Sequence, residues 1–173
     1  MRSLILGGAR SGKSALAERI ARESAREVVY VATAQARDAE MAERIAHHRA
    51  RRPLHWLCVE EPLALAEVLR RQAREDRCVL VDCLTLWLSN MLGGGDPQCF
   101  ERERAALLET LPALPGEIVL VSNEVGLGIV PLGELTRRYV DEAGRLHQAL
   151  AAQCERVIFV AAGLPLALKG TLP

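Results

Sequence analysis

Hydrophobic residues in this chain form short continuous runs that alternate with longer stretches of helical periodicity. Six runs predict strands: residues 4–6, 28–32, 55–59, 78–82, 117–122 and 156–161. Helical patterning covers about 13–25, 38–51, 62–75 and 84–92, continues to 111, and returns before 153. Strict alternation of strands and helices requires crossover connections, so the pattern predicts an α/β fold with a mostly parallel sheet and helices on both faces.

Ligands of such sheets bind beyond the carboxyl ends of the strands. The loops after residues 6, 32, 59, 82 and 122 are therefore predicted to surround one site. The only flexible break, at residues 93–97, is too short for a domain linker, so residues 1–173 are predicted to form a single domain.

Composition narrows the class of function. Lys plus Arg and Asp plus Glu both number 22, so the chain has no global basic field that would indicate a nucleic-acid partner or an anionic membrane. The five cysteines include no C-x-x-C pair, and several lie in apolar runs. We therefore expect reduced thiols in the core, no cysteine metal site and a cytoplasmic location. No segment is apolar enough to predict a membrane span, and the first residues read as a strand rather than a signal peptide.

The most specific motif is the sequence GGARSGKS at residues 7–14, which fits G-x-x-x-x-G-K-[ST] and follows the first strand directly. A glycine turn between a strand and a helix points backbone N–H groups and the positive end of the helix dipole at one place. Lys13 is predicted to contact the β- and γ-phosphates, and the Ser14 hydroxyl is predicted to bind Mg²⁺. The motif predicts a P-loop nucleoside triphosphate site.

Asp82 ends the buried run at residues 78–82. A carboxylate at a strand end that faces the phosphate loop holds Mg²⁺ in P-loop enzymes, directly or through water. We predict that role for Asp82, although a helix N-cap or a surface carboxylate would give the same pattern.

The predicted helix at 38–52 carries an unusual set of histidines and arginines. Helical spacing places His47 on a fully polar stripe and His48 on a neighbouring stripe led by apolar residues, so His48 is predicted to face the protein. An imidazole beside guanidinium groups suits nucleophilic attack on phosphorus. Taken alone, the same pattern also describes a solvated helix face.

The segment at residues 122–131 follows the fifth strand at the ligand-binding edge. Its glycines allow close backbone approach, and Asn123 and Glu124 offer polar recognition groups. It lacks the Asn-Lys-x-Asp guanine motif of switch GTPases, which argues against a molecular switch.

Taken together, these segments resemble the bifunctional adenosylcobinamide kinase/adenosylcobinamide-phosphate guanylyltransferases of cobalamin biosynthesis. The resemblance spans nearly the whole chain and is carried by GGARSGKS, VVYVATAQ, DAEMAERIAHHRARRP, VDCLT, VSNEVGLGIVP and AAGLPLALK. The histidine pair combined with the NEVGLGIVP segment is much more specific than the P-loop alone.

The resemblance implies two reactions at one site. ATP or GTP first phosphorylates the hydroxyl of the aminopropanol arm of adenosylcobinamide. A histidine then takes GMP from GTP, expelling pyrophosphate, and passes it to adenosylcobinamide phosphate to give adenosylcobinamide-GDP. The resemblance and the stripe argument both favour His48 as the guanylylated residue, with His47 as the second choice. Relatives also resemble homotrimers.

The resemblance places nucleotide contacts on a defined set of positions. They are Gly7, Gly8, Ala9, Arg10, Ser11, Gly12, Lys13, Ser14, Thr33, Ala34, Gln35, Arg49, Ala50, Arg51, Arg52, Glu60 and Asp82. Lys13 and His48 are the implied catalytic residues, and Ser14 and Asp82 the implied Mg²⁺ ligands. Some relatives carry Glu at the position of Asp82, which keeps the charge but has a longer reach.

Two other functions remain open on the residues. One is a simple P-loop small-molecule kinase without a covalent nucleotidyl intermediate, in which 38–52 binds substrate. The other is a nucleotide-dependent binding module or ATPase subunit.

Overall fold

The computed structural model describes residues 1–35, 39, 43, 53–94, 96 and 98–173, and it contains a single seven-stranded sheet. The strands are β1 (Arg2–Gly7), β2 (Glu27–Ala32), β3 (Leu57–Glu60), β4 (Arg77–Asp82), β5 (Glu117–Asn123), β6 (Arg156–Ala161) and β7 (Leu164–Lys169). Their order is β3-β2-β4-β5-β1-β6-β7, and every neighbouring pair is parallel except β6 with β7. The mostly parallel α/β sheet predicted from the sequence is confirmed, and β7 is an additional antiparallel edge strand.

Helices connect the parallel strands. They are α1 (Lys13–Glu23), α2 (Leu65–Gln72), α3 (Leu84–Leu92), α4 (Cys99–Thr110) with a 3₁₀ turn (Leu111–Ala113), and α5 (Glu134–Gln153). The helix predicted at 62–75 is shorter than expected because Glu61 Oε1 accepts the N–H groups of Leu63 and Ala64, both at 2.8 Å, and holds them in a turn. The helix predicted at 38–51 lies almost entirely outside the described residues, of which Ala39 and Glu43 are helical.

Both faces of the sheet are buried, which explains the continuous apolar runs. Successive residues point to opposite faces, so Leu4 packs in the cluster with Trp87 on the α2–α5 side, whereas Ile5 packs in the cluster with Ile20 of α1. No helix in the described part of the chain is both long and apolar enough to cross a membrane.

The five cysteines are free thiols in different environments. Cys78, Cys83 and Cys154 are buried, and burial raises the pKa of Cys78 and Cys154 to about 12, which keeps both thiols protonated and unreactive. Cys58 is exposed on the edge strand β3, so the expectation of core thiols does not hold for it.

The carboxyl ends of neighbouring strands are joined by hydrogen bonds that continue beyond the sheet, and we call this line of contacts the rim. From β3 across to the β6–β7 turn they are Glu61 N to Ala32 O (3.0 Å), Thr33 with Cys83 (2.7 and 3.0 Å), Asn123 N to Thr85 Oγ1 (2.7 Å), Glu124 N to Gly7 O (3.0 Å) and Gly163 N to Ser11 O (2.8 Å). The loops predicted to surround one site are thus tied to one another.

Candidate active site

The glycine-rich loop between β1 and α1 lies against the β6–β7 turn, which explains why it needs glycine. A Cβ on Gly7 would lie 2.4 Å from Val160 O, and a Cβ on Gly12 would lie 3.2 Å from the Gly163 Cα. Gly12 also has φ of 99°, a conformation that side chains disfavour. The loop therefore follows a path that only glycine fits at these two positions.

The glycine-rich loop leads into a helix N-terminus that has no side-chain cap. Gly12 caps α1 without any side-chain hydrogen bond, and the first turn contains no acidic residue. The first N–H groups of a helix have no partner within it and lie at the positive end of its dipole. In addition, Ser11 Oγ is buried and has no hydrogen-bond partner among the described residues. Donors without partners at a helix N-terminus form an anion site suited to phosphate.

Lys13 lies at this site and is 8% exposed. Its Nζ donates to the carbonyl of Gly8 at 3.1 Å. Burial lowers the pKa of Lys13, and nearby negative charge at Cys83 and Asp82 opposes that shift. Because burial also raises the pKa of the Cys83 thiol and keeps it neutral, we attribute the stabilising charge to Asp82. The Lys13 ammonium is therefore held in the phosphate loop by the Gly8 carbonyl, within electrostatic range of the carboxylate that ends β4.

Asp82 stands in register with Ala32 of β2 and Val121 of β5, in the centre of the carboxyl edge. Its Oδ2 accepts a hydrogen bond of 2.9 Å from the hydroxyl of Tyr30, whose ring is 2% exposed. The structure thus brings Asp82 to the phosphate loop, as its place at a strand end suggested. The sequence reasoning missed Tyr30, although the hydroxyl of a buried tyrosine usually has a hydrogen-bond partner.

Thr33 follows β2 and is fully buried. Its hydroxyl donates to Cys83 O at 2.7 Å and accepts from Cys83 N at 3.0 Å, and its carbonyl accepts from Asn90 Nδ2 at 2.8 Å. In this structure the side chain of Thr33 joins the ends of β2 and β4. Ala34 is half-buried and Gln35 is exposed just beyond it.

Glu60 is exposed at the end of β3, in register with Ala32. It lies on the same edge of the sheet as Asp82, with β2 between them. Its predicted nucleotide contact stays a prediction.

A second buried polar network supports the other side of the edge. Ser122 Oγ lies 2.8 Å from His147 Nε2 and 3.4 Å from Thr85 Oγ1, and Tyr139 donates to the Thr85 carbonyl at 2.9 Å. Burial lowers the pKa of His147, with Glu124 acting in the opposite direction. His147 lies on the buried stripe of α5 with Ala143, Leu146 and Leu150, and the sequence reasoning did not use this signal.

Glu124, expected to recognise a ligand, is engaged inside its own loop. Its Oε1 accepts from Gly126 N at 2.6 Å, and its Oε2 lies 3.7 Å from His147 Nδ1. Beyond it the loop exposes the large apolar side chains of Leu127, Ile129, Val130 and Leu132, and the first turn of α5 exposes Leu135.

The predicted nucleophile lies outside the described residues. His47, His48, Arg49, Ala50, Arg51 and Arg52 belong to that group. The remaining predicted nucleotide contacts all lie on the carboxyl edge of the sheet or in the glycine loop.

The side chains at this edge suit Mg²⁺, which phosphates and water also coordinate, better than a metal ion that only protein side chains would hold. Across the described ranges, no group of three or more His, Cys, Asp or Glu side chains could hold a metal ion. Mg²⁺ needs only one or two protein oxygens, because phosphates and water complete its shell. The Asp82 carboxylate and the Ser14 hydroxyl are of the right chemistry for that arrangement.

A family model described as cobinamide kinase / cobinamide phosphate guanyltransferase matches residues 3–168. The chain belongs to this family. It is accordingly an enzyme of adenosylcobalamin biosynthesis with cobinamide kinase and cobinamide phosphate guanylyltransferase activities. The resemblance seen in the sequence is confirmed.

Relatives in the cobinamide kinase / guanylyltransferase family align end to end with the chain. The bifunctional adenosylcobalamin biosynthesis protein CobP of Pseudomonas aeruginosa PAO1 is 69% identical over 170 residues, covering 98% of each chain. The CobU proteins of Escherichia coli K12 and Salmonella typhimurium LT2 are 40% and 39% identical, covering 98% of this chain and all of theirs.

Solved structures with low sequence identity share the fold of this family member. The RadB recombinase aligns over 91% of this chain and 73% of its own, with a TM-score of 0.54 and 16% identity. A Pyrococcus horikoshii OT3 protein studied as PH0250 aligns over 98% of this chain and 86% of its own, with a TM-score of 0.57 and 9% identity. These likenesses support the P-loop NTPase-type sheet and carry no statement about substrate.

Proposed function

We propose that the protein phosphorylates adenosylcobinamide with ATP or GTP and then guanylylates the product through a histidine. The observation that carries this proposal is the uncapped N-terminus of α1, with Lys13 and Asp82 beside it, in a chain of the cobinamide kinase / guanylyltransferase family. This arrangement suits the binding of a polyphosphate with its metal, which both reactions require.

In the kinase step, the hydroxyl of the substrate's aminopropanol arm attacks the γ-phosphorus. The bond to the β,γ-bridging oxygen breaks, the nucleoside diphosphate leaves, and the proton of the hydroxyl passes to solvent. Lys13 stabilises the charge on the β- and γ-phosphate oxygens, for which it exchanges its present contact with the Gly8 carbonyl. Bound Mg²⁺, held by Asp82 and Ser14, would supply further neutralisation of phosphate charge.

In the transferase step, a ring nitrogen of His48 attacks the α-phosphorus of GTP. The bond to the α,β-bridging oxygen breaks, pyrophosphate leaves, and the proton on the other ring nitrogen passes to solvent. A phosphate oxygen of adenosylcobinamide phosphate then attacks the same phosphorus and displaces the histidine, giving adenosylcobinamide-GDP. Arg49, Arg51 and Arg52, together with the backbone of Ala50, are proposed to contact the nucleotide, as is Glu60.

The covalent intermediate is tested by mass spectrometry of the intact protein after incubation with GTP and Mg²⁺. We expect an added GMP that is lost in acid, and peptide mapping should place it on His48. His48→Ala should remove the adduct and His47→Ala should keep it, while both variants retain most of the kinase activity. If His48→Ala still becomes labelled from α-labelled GTP, the assignment to His48 is wrong.

A simple small-molecule kinase is the second candidate, because the phosphate site alone would serve it equally well. It predicts turnover of adenosylcobinamide with ATP and no acid-labile adduct after incubation with GTP. The family match, which includes the guanylyltransferase activity, favours the bifunctional enzyme.

We also propose that the enzyme acts in the cytoplasm as a homotrimer. Two exposed apolar surfaces support self-association: the loop with Leu127, Ile129 and Leu132, and the strand β7 with Leu164, Leu166 and Leu168. Light scattering coupled to size-exclusion chromatography measures the number of subunits. A monomer at micromolar concentration would overturn the proposed homotrimer.

A further inference from the structure

We infer that Tyr30 is a positioning residue for the phosphate site, whose hydroxyl fixes the Asp82 carboxylate so that it can serve the metal of the nucleotide. The inference rests on the metal role proposed above for Asp82. It concerns nucleotide binding alone and does not depend on the cobinamide substrate or on the guanylylated histidine.

Strand register explains how Tyr30 reaches Asp82. Tyr30 pairs with Leu80 across β2 and β4, and both belong to the buried cluster on the α1 side of the sheet. Asp82 is two residues further along β4, so it points to that same side. The tyrosine ring therefore extends from the apolar core along β4 to the carboxyl edge, where its hydroxyl lies 2.9 Å from Asp82 Oδ2.

The ring body is held by packing, so the hydroxyl is a fixed donor. Tyr30 is 2% exposed and lies in one cluster with Leu16, Ile20 and Val119. The Asp82 side chain, in contrast, is only partly buried. A rigid buried donor thus restricts a carboxylate that would otherwise rotate.

The hydrogen bond from Tyr30 orients the Asp82 carboxylate and still leaves acceptor sites on it for a metal ion. An ionised carboxylate has two oxygens and about four lone-pair sites, of which the Tyr30 hydroxyl uses one on Oδ2. Within the part of the chain that the structure describes, no hydrogen bond to Oδ1 is found, which leaves this oxygen for a metal ion or its water. Partners that orient metal-binding side chains in this way commonly change metal affinity when they are removed.

The test compares the only two tyrosines of the chain. Tyr30→Phe removes the donor to Asp82 and keeps the ring. Tyr139→Phe is the matched control, because it removes a donor of the same length, 2.9 Å, to the backbone carbonyl of Thr85. Asp82→Asn and the double variant Tyr30→Phe/Asp82→Asn complete a cycle.

The readout is equilibrium binding of a GTP analogue with a methylene group in place of the α,β-bridging oxygen, which prevents guanylyl transfer. Affinity is measured in EDTA and across a Mg²⁺ titration. We expect Tyr30→Phe to raise the Mg²⁺ concentration for half-maximal tightening about tenfold, and to leave affinity in EDTA within about twofold. Tyr139→Phe should leave the Mg²⁺ titration unchanged.

The double variant separates positioning from a general structural effect. If Tyr30 acts through Asp82, adding Tyr30→Phe to Asp82→Asn changes the Mg²⁺ titration no further. A Tyr30→Phe protein with the Mg²⁺ dependence of the wild type would overturn the inference. Additive losses in the double variant, or an equal loss of affinity in EDTA, would also overturn it. Failure of the proposed histidine chemistry alone leaves this measurement unaffected.

Discussion

Replacement of Thr33 by valine tests whether this residue serves the nucleotide or the fold. Thr33→Val keeps the shape of the side chain and removes both hydrogen bonds between its hydroxyl and Cys83. Thr33 is fully buried and Cys83 is 7% exposed, so water cannot easily replace the lost partner. An unsatisfied buried donor or acceptor costs about 1–3 kcal/mol. One is created here, the N–H of Cys83, because the Cys83 carbonyl still accepts from Trp87 N at 3.2 Å.

We therefore expect Thr33→Val to lower the free energy of unfolding by about 2 kcal/mol. In a chain of this size each kcal/mol corresponds to about 2–4 °C, so the melting temperature should fall by about 4–8 °C. Urea unfolding followed by circular dichroism measures the free energy, and differential scanning calorimetry measures the melting temperature.

Thr33→Ser is the matched control, because it keeps the hydroxyl and removes one methyl group, at a cost of about 1 kcal/mol. Nucleotide affinity, measured well below the melting temperature, should change less than threefold in both variants. The reasoning is refuted if Thr33→Val is as stable as the wild type, or if Thr33→Ser loses as much as Thr33→Val. If Thr33→Val is as stable as the wild type but binds nucleotide much more weakly, Thr33 contacts the nucleotide, as the family resemblance implied.

Three further predictions test other parts of the structure. The free energy of unfolding should fall as pH drops below about 6.5, because the lowered pKa of buried His147 means that the unfolded chain binds a proton at this residue first, and His147→Gln should make that fall less steep. Replacement of the exposed His55 by Gln is the control, and an unchanged pH profile in His147→Gln would contradict the assignment. Gly116→Ala should destabilise by about 3 kcal/mol or more in urea unfolding, since φ is +77° and the new Cβ would lie 2.1 Å from Arg74 O. The same change at Gly144, where a Cβ meets nothing within 4 Å inside α5, should stabilise by about 0.5–1 kcal/mol; equal effects at the two glycines would be inconsistent with the backbone described. Gly12→Ala should weaken nucleotide binding at least about tenfold in equilibrium dialysis while the protein stays folded. The reason is that φ is 99° at this position and the new Cβ would lie 3.2 Å from the Gly163 Cα. A Gly12→Ala protein with wild-type affinity would show that glycine is not needed there.

The sheet and the phosphate loop were predictable because their signals are local. A β-branched run predicts β2, and the spacing of GGARSGKS predicts a strand, a turn and a helix in that order. Strand β7 was missed because Leu164–Lys169 contains a proline, its three leucines are exposed, and an edge strand needs burial on neither face. Its role, packing the β6–β7 turn against Gly12, depends on contacts that no local pattern encodes.

The polar residues that support the site were harder to predict than the residues of the motif. Asp82 could be found because it ends a buried run, but its partner Tyr30 lies fifty-two residues earlier along the chain. Likewise, the contact between His147 and Ser122 depends on how α5 packs on the sheet. Such pairs depend on the order of the strands and on which helix packs over which strand, and hydrophobic periodicity leaves both undetermined.

The rim suggests how one phosphate site serves two reactions. Each pair of neighbouring strands from β3 to β6 is tied at its carboxyl end, on one side by Thr33 with Cys83 and on the other by Thr85 with Asn123. Lys13 and Asp82 lie inside this tied edge, so the groups proposed to hold the triphosphate are fixed relative to one another. The γ- and α-phosphorus atoms are separated by the β-phosphorus and two bridging oxygens, so a triphosphate bound at a fixed edge cannot present each of them in turn to a single nucleophile. On the mechanism proposed above, the change between phosphoryl and guanylyl transfer therefore comes from the attacking group, which is the substrate hydroxyl at the γ-phosphorus and the imidazole of His48 at the α-phosphorus.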